Sequence, residues 1–575
     1  MKRRAEQRQL AQRRYRVRNL VLIGVFCVCA LVTIGRSAYL QVVDREFLLR
    51  EADARHVKKR TIASHRGSIT DRNGEPLAIS SPVDSVWVAP EKLLPEVDAI
   101  PQLARIIGRD HGQILKSLNR NIGKEFLWLH RHAMPAQVAA ISDLALPGVN
   151  VRREYRRFFP AGEVTSHLVG LTDIDDAGQE GLELAHNHAL AGEAGAKLVL
   201  QDRLGRAVDD VRSIAPVRHG VDLVTSIDLR IQYFAYRELT RAMEIHDAQA
   251  GSVVVLDIQT GEVLAIVNRP GYNPNNRAQY SGERSRNRAI TDIYDPGSSI
   301  KPITLAAALE AGVIDTDSII DTGNGSIQVG IKEIKDHHAL GAINLETLLA
   351  RSSNVATTMV GMRMESEQFW ETLTRFGFGS LTASGFPGES QGLLPHFRDW
   401  QKISQATISY GYGLSVTPLQ LARAYAALGN GGVLMPVSLL RVDSPPPGTR
   451  AVSEPVANHV VSLMERVVQA GGTGTRAAIP GYRVAGKTGT AWKYSGNGDY
   501  NEEKYLSFFA GLVPASNPRL AAVVVIDEPS KKEFYGGDVA APVFSAVMGE
   551  ALRTLAIAPD AAPGLMAGLH DEVQP

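Results

Sequence analysis

Two cysteines occur in 575 residues, Cys27 and Cys29, and both lie in one apolar run near the start. Everything after residue 29 therefore lacks a disulfide framework and a thiol nucleophile. An excess of charge of either sign is missing too: 62 Lys and Arg meet 61 Asp and Glu, a formal net charge of +1. The chain as a whole is no polyanion binder, so nucleic acid is not an expected partner. There is no internal repeat and no long low-complexity segment. Gly and Pro stand at ordinary levels, so most of the chain is expected to be globular. His130/His132, His186/His188 and His337/His338 occur in pairs, but without Cys or carboxylates at ligand spacing. No metal and no cofactor is expected.

The charge that is present is segregated. Lys2, Arg3, Arg4, Arg8, Arg13, Arg14, Arg16 and Arg18 are opposed only by Glu6. LVLIGVFCVCALVTIG (20–35) follows, and after Arg36 the pattern resumes with AYLQVV, where Tyr39 suits an interface. Roughly 20 residues span a bilayer as a helix, and 20–42 suffices if Arg36 snorkels or faces a partner. A cleaved signal peptide is the alternative, but no small-x-small site follows closely. The expectation is a cytoplasmic leader (1–19), an uncleaved inner-membrane anchor (20–42), and the remainder outside the cytoplasm.

Past the anchor, residues 58–80 read as two strands around Asn73-Gly74, a tight-turn dipeptide. Residues 92–147 read as helical and amphipathic, and 197–211 as a hairpin with Gly205 in its turn. These make 44–225 an irregular, elongated module without a catalytic grouping. From 226 to 557 the pattern changes: a helix over 227–246, a hairpin over 251–268 turning at Thr260-Gly261, a mainly helical stretch over about 298–470, strands at 482–491, 506–512 and 520–527, and a helix over 543–557. Strands at both ends with helices between predict one α/β (α+β) domain, its mainly antiparallel sheet flanked by helices. Residues 558–575 read as a disordered tail.

Within this domain, GYRVAGKTGTA (481–491) admits two chemistries. Gly481, Gly486, Lys487 and Thr488 fit the phosphate loop G-x-x-x-x-G-K-[ST], with VVVIDE (523–528) as an acidic strand. Lys487-Thr488-Gly489 also fits the third signature of penicillin-inhibited serine acyltransferases. A phosphate loop needs a buried strand before it and a helix after it. Here GGTGTRAAIP precedes and a strand follows, outside the compartment that holds ATP. The acyltransferase reading finds company upstream. In DPGSSIKP (295–302), Ser298 and Lys301 stand three apart at a helix start, so one face carries a hydroxyl beside an amine. Burial and the helix dipole depress that amine's pKa and make it a general base for a serine nucleophile. In RSSNVA (351–356), Ser352 and Asn354 lie at a break between helices; an ordinary N-cap explains them equally well taken alone.

Ser298-x-x-Lys301, Ser352-x-Asn354 and Lys487-Thr488-Gly489, in this order, resemble the penicillin-binding transpeptidases. The likeness extends to YGYGLSVTPLQLARAYAALGNGG (410–432) and, in the first module, to RGSITDRNG (66–74), RRFFPAGE (156–163) and GQEGLE (178–183). Together these resemble the division-specific class B penicillin-binding proteins of Gram-negative bacteria, whose first module is a non-catalytic pedestal. The resemblance implies that Ser298 is acylated by a D-Ala-D-Ala stem peptide, and that Lys301 takes its proton. It implies that the backbone N–H groups of Ser298 and Thr490 form an oxyanion hole, and that Ser352 and Lys487 relay protons. Asn354 would bind the substrate amide, Thr488, Gly489 and Thr490 the terminal carboxylate, and Tyr505, Phe534 and Tyr535 would line an aromatic side of the cleft. A diaminopimelate amine would be the acceptor, β-lactams the inhibitors, and a membrane-embedded glycan polymerase with other division proteins the partners. Phe159 stands where the pedestal pattern has tyrosine, and Trp492 where a basic residue can occur.

Overall fold

The computed structural model describes residues 2–47, 57–201, 207–494, 500–530 and 533–561. In chain order, helix α1 (Lys2–Val42) precedes strands β1 (Val57–Ile62), β2 (Ile69–Thr70), β3 (Pro76–Val88), β4 (Leu127–Ala133) and β5 (Val149–Phe158). Then come β6 (Gly195–Gln201), β7 (Ala207–Ala215), β8 (Leu223–Val224), helix α2 (Leu229–His246), β9 (Ala250–Asp257) and β10 (Val263–Arg269). The helical middle contributes a 3-10 turn (Gly297–Ile300), α3 (Lys301–Glu310), the hairpin β11 (Ser326–Val329) and β12 (Lys332–Lys335), α4 (Leu345–Arg351), α5 (Asn354–Gly361) and α6 (Pro418–Gly429). Strands β13 (Ala485–Tyr494), β14 (Tyr500–Val513) and β15 (Leu520–Asp527) and helix α7 (Ala541–Thr554) follow.

The chain forms two compact units. One comprises Met1–Ser64 and Glu193–His219, the other His65–Gly192 and Gly220–Pro575. In the first, α1 contains a stretch, Arg13–Val42, long and apolar enough to cross a bilayer, with none of it buried in protein. Strand β1 pairs antiparallel with β6, and β6 with β7. The β6–β7 pairing is the hairpin expected over 197–211; Gly205 lies outside the described residues.

The second unit is built on a five-stranded antiparallel sheet in the order β10-β9-β15-β14-β13. The run VVVI is continuous rather than alternating because β15 sits mid-sheet with both faces covered. Val523 and Val525 enter one core with α3 and α6, while Val524 and Ile526 enter the opposite one with α2 and α7. Strand β13 is the edge, so among the described residues no strand lies beside one side of the Lys487-Thr488-Gly489 backbone.

Four expectations change. Residues 92–147 are not all helical: Leu127–Ala133 is a strand paired with β3, whose partners lie some forty residues earlier, beyond the reach of local periodicity. Asn73-Gly74 does turn between two strands, β2 and β3, with the Asp71 carboxylate accepting from Asn73 N and Glu75 N, but Val57–Ile62 pairs elsewhere. Packing also does not break near 225. Ile69, Leu77, Phe159, Leu168, Leu182 and Leu190 share one buried cluster with Val254, Ile303 and Val523. Beneath them Glu183, fully buried, accepts from Arg66 Nε at 2.7 Å and Arg157 Nε at 2.6 Å, so the three pedestal fragments meet at one carboxylate. Residues 558–561, expected to belong to a disordered tail, are held in place. Asp560 accepts from Arg483 N at 2.7 Å and Ser516 Oγ at 2.7 Å, and Ala561 N donates to Gly481 O. Residues 562–575 fall outside the described residues.

Candidate active site

Ser298 lies on the 3-10 turn that runs directly into α3, where three residues per turn bring i and i+3 onto one side. The turn is clamped. Gly297 N donates to Gly411 O at 3.0 Å, and Tyr425 Oη, fully buried on α6, donates to Ser299 O at 2.7 Å. Edge strand β13 passes so close that a Cβ on Gly489 would stand 3.1 Å from Pro296 O and 3.4 Å from Ser299 N. Only glycine permits that approach without displacement.

Lys301 is fully buried, and its Nζ lies 2.6 Å from Ser352 O, 2.7 Å from Asn354 Oδ1 and 3.2 Å from Ser352 Oγ. Burial, followed by the neighbouring Lys487, pushes its pKa well below the lysine range, with Asp336 opposing. That direction favours the neutral amine, whose two N–H bonds to Ser352 O and Asn354 Oδ1 would leave the lone pair for a proton from a hydroxyl. Lys487, also fully buried, is lowered to about 7 by burial. Its Nζ donates to Thr488 O at 3.1 Å.

Ser352 caps α4 in the left-handed conformation (φ 58°), which turns the chain so that Ser352 and Asn354 both reach Lys301. The break serves the cap and the contacts to Lys301 with different residues. Ser353 is the N-cap of α5, accepting from Ala356 N at 2.9 Å, while its neighbours face the amine. The residue that fixes this frame is Asp336, which accepts from Ser353 Oγ at 2.6 Å, Asn354 N at 2.6 Å and Val355 N at 3.0 Å. Thr488 is nearly buried and shares a 2.8 Å hydroxyl contact with Thr473; Thr490 Oγ1 accepts from Gly536 N at 3.0 Å. Among the described residues, no group of His, Cys, Asp and Glu is arranged to hold a metal.

Residues 251–549 match the penicillin-binding protein transpeptidase domain, and residues 61–225 the penicillin-binding protein dimerisation domain. The chain belongs to the penicillin-binding transpeptidases. It is 42% identical to the peptidoglycan D,D-transpeptidase FtsI of Escherichia coli K12, over 95% of this chain and 93% of that protein. It is 41% identical to the probable peptidoglycan D,D-transpeptidase PenA of Neisseria meningitidis, over 92% and 90%. Among solved structures it resembles the transpeptidase domain of Burkholderia pseudomallei penicillin-binding protein 3 (40% identity, TM-score 0.54, 59% of this chain and 98% of that one). It also resembles Mycobacterium penicillin-binding protein 3 complexed with aztreonam (28% identity, TM-score 0.69, 87% and 98%).

In this member of the family, Tyr505, Phe534 and Tyr535 do come together. Tyr505 and Phe534 stack at 4.1 Å, and Tyr535, half exposed, packs on Phe534 at 4.5 Å beside the Gly536–Thr490 contact. Asp336, Thr473 and Tyr425 were not legible as site residues. A lone Asp in a polar hairpin, a Thr in a glycine-rich loop and a Tyr on a helix carry no local pattern, because each acts on residues 15 or more positions away.

Proposed function

We propose that this chain is a septal peptidoglycan D,D-transpeptidase that cross-links stem peptides through an acyl-enzyme on Ser298 and is trapped there by β-lactams. The observation that carries the reading is the fully buried Lys301 amine, held by Ser352 and Asn354 one 3-10 turn from the Ser298 hydroxyl, where burial pushes its pKa down. Ser298 Oγ bonds to the carbonyl carbon of the penultimate D-Ala while its proton passes to Lys301. The bond to the terminal D-Ala breaks, and the proton is returned to the leaving amine through Ser352. The negative oxygen formed on the way is met by the backbone N–H groups of Ser298 and Thr490, each worth roughly 3–4 kcal/mol in acyl transfer. Asn354 orients the peptide amide. Lys487, with Thr488, Gly489 and Thr490, receives the terminal carboxylate along the open edge of β13. Tyr505, Phe534 and Tyr535 form the aromatic wall.

An inner-membrane location with the leader inside and the catalytic unit in the periplasm fits the basic leader and the apolar α1. A membrane-embedded glycan polymerase is the partner proposed for the anchor; Arg36, whose guanidinium lies 5.3 Å from the Tyr39 ring, is the charge it would cover. The test is intact mass after benzylpenicillin, for residues 44–575 and for Ser298→Ala. A gain of one drug molecule in the unmutated chain alone, stable for many minutes, supports the reading. Rapid loss of the adduct identifies a hydrolase, and no adduct at all identifies a non-catalytic scaffold.

A further inference from the structure

One carboxylate and several aromatic rings crowd the rim beside the nucleophile, and the acylation step above uses none of them. Asp295 opens the turn that carries Ser298, three residues upstream. Its carboxylate accepts from Tyr500 Oη at 2.5 Å, from Ser415 Oγ at 2.9 Å and from the Gly413 backbone. All three donors are neutral, and no cation among the described residues is paired with it. Burial accordingly raises its pKa above the usual aspartate range. A carboxylate withdrawn from water without countercharge is costly to keep, unless a cation arrives to meet it.

The rings stand around it. Tyr412 lies edge-on to Tyr500 at 5.5 Å and 85°, Trp492 is 6.5 Å from Tyr412, and Tyr494 is 5.8 Å from Tyr500. Trp492 remains 40% exposed. The backbone ties this cluster to the nucleophile from two sides. Gly297, next to Ser298, bonds to Gly411, and a Cβ on Gly297 would stand 3.2 Å from Thr490 O and 3.4 Å from the Ala491 Cβ. Tyr412 follows the first of these neighbours and Trp492 the last. Aromatic faces grouped around a carboxylate are the environment that attracts an alkylammonium ion.

We propose that Asp295, Tyr412, Trp492 and Tyr500 form the subsite that receives the primary ammonium of the acceptor strand and favours an amine over water in resolving the acyl-enzyme. The inference rests on the transpeptidase reading. In the step it serves, the ammonium sheds one proton to solvent and its nitrogen bonds to the acyl carbon. The ester bond to Ser298 Oγ breaks, and the amine's second proton passes by way of Lys301 to Ser298 Oγ. Asp295 and the rings bind and orient the acceptor; they exchange no proton with it.

The test uses the full chain in detergent, a D-alanyl thioester as acyl donor and meso-diaminopimelate as acceptor, and reads the ratio of amide to free acid by mass spectrometry. Both products come from one acyl-enzyme, so slower acylation or partial misfolding of a variant cancels from the ratio. Asp295→Asn is expected to raise the acceptor concentration needed for equal partition roughly tenfold, and Trp492→Leu roughly threefold. Hydroxylamine, uncharged at neutral pH, should partition alike in all three proteins. An unchanged ratio for meso-diaminopimelate in both variants overturns the subsite, as does an equal loss for hydroxylamine. If neither the thioester nor benzylpenicillin acylates the unmutated chain, the transpeptidase reading itself fails and the subsite falls with it.

Discussion

A buried lysine acts as a base only when its proton is off, and a buried lysine binds a carboxylate only when its proton is on. On the proposed mechanism Lys301 and Lys487 divide these tasks, since each of two adjacent buried amines disfavours charge on the other. The signs follow. Lys301, lowered well below its usual range, becomes competent as pH rises through its own pKa. Lys487, lowered to about 7, loses the charge that meets the carboxylate as pH rises further. The second-order rate constant for benzylpenicillin acylation is therefore expected to rise on the acid side and to fall above about pH 7. Stopped-flow acylation across the titration range checks it, and Lys487→Arg should abolish the alkaline fall while keeping the charge. A fall that persists in that variant would assign the limb to another group. Asp336 is tested at the same scale. Asp336→Ala leaves Ser353 Oγ and the backbone N–H groups of Asn354 and Val355 without their acceptor. A stability loss of about 1–3 kcal/mol is expected in thermal melts, with slower acylation, because the Ser352–Asn354 frame loosens. Asp336→Asn, which keeps one carbonyl oxygen, should fall between.

Between elements, the decisive contact is the approach of β13 to the 3-10 turn. Gly489→Ala adds a methyl 3.1 Å from both Pro296 O and Phe508 Cβ, so the strand must move off the turn that carries Ser298. Acylation should slow on the order of a hundredfold, the cost of misplacing reacting groups by about an ångström. The melting temperature should change little by comparison, since the strand remains paired along β14. Acylation rates beside a melting curve on one preparation would separate the two effects. What the sequence disclosed follows the same division. Helix α2, the β9–β10 hairpin and the Ser298–Lys301 pair were legible because short-range spacing along the chain defines them. The β4 strand was not, because its partner strand is remote. Asp336 and Thr473 were missed for the same reason. Their contacts with Ser353 and Thr488 arise only when α5 and β13 have been brought to them.

Across the whole molecule, the two units divide the labour of location and chemistry. All residues of the three motifs lie in the unit formed by His65–Gly192 and Gly220–Pro575, whereas α1 belongs to the other. Eight cations and a single acid lie before residue 20, and this asymmetry is expected to direct insertion with the leader inside. The shortage of cysteine makes the orientation measurable. In a chain with Cys27→Ala and Cys29→Ala, one introduced thiol is the only one present. Ser444→Cys, at an exposed position of the catalytic unit, should react with a membrane-impermeant maleimide in intact spheroplasts. Tyr15→Cys, on the leader side of the span, should react only after lysis. The opposite pattern would put the catalytic unit in the cytoplasm, where there is no polymeric wall to cross-link. Reaction of both thiols in intact spheroplasts would show that α1 does not span the membrane, leaving the leader's charge to hold the chain at the surface of anionic lipid instead.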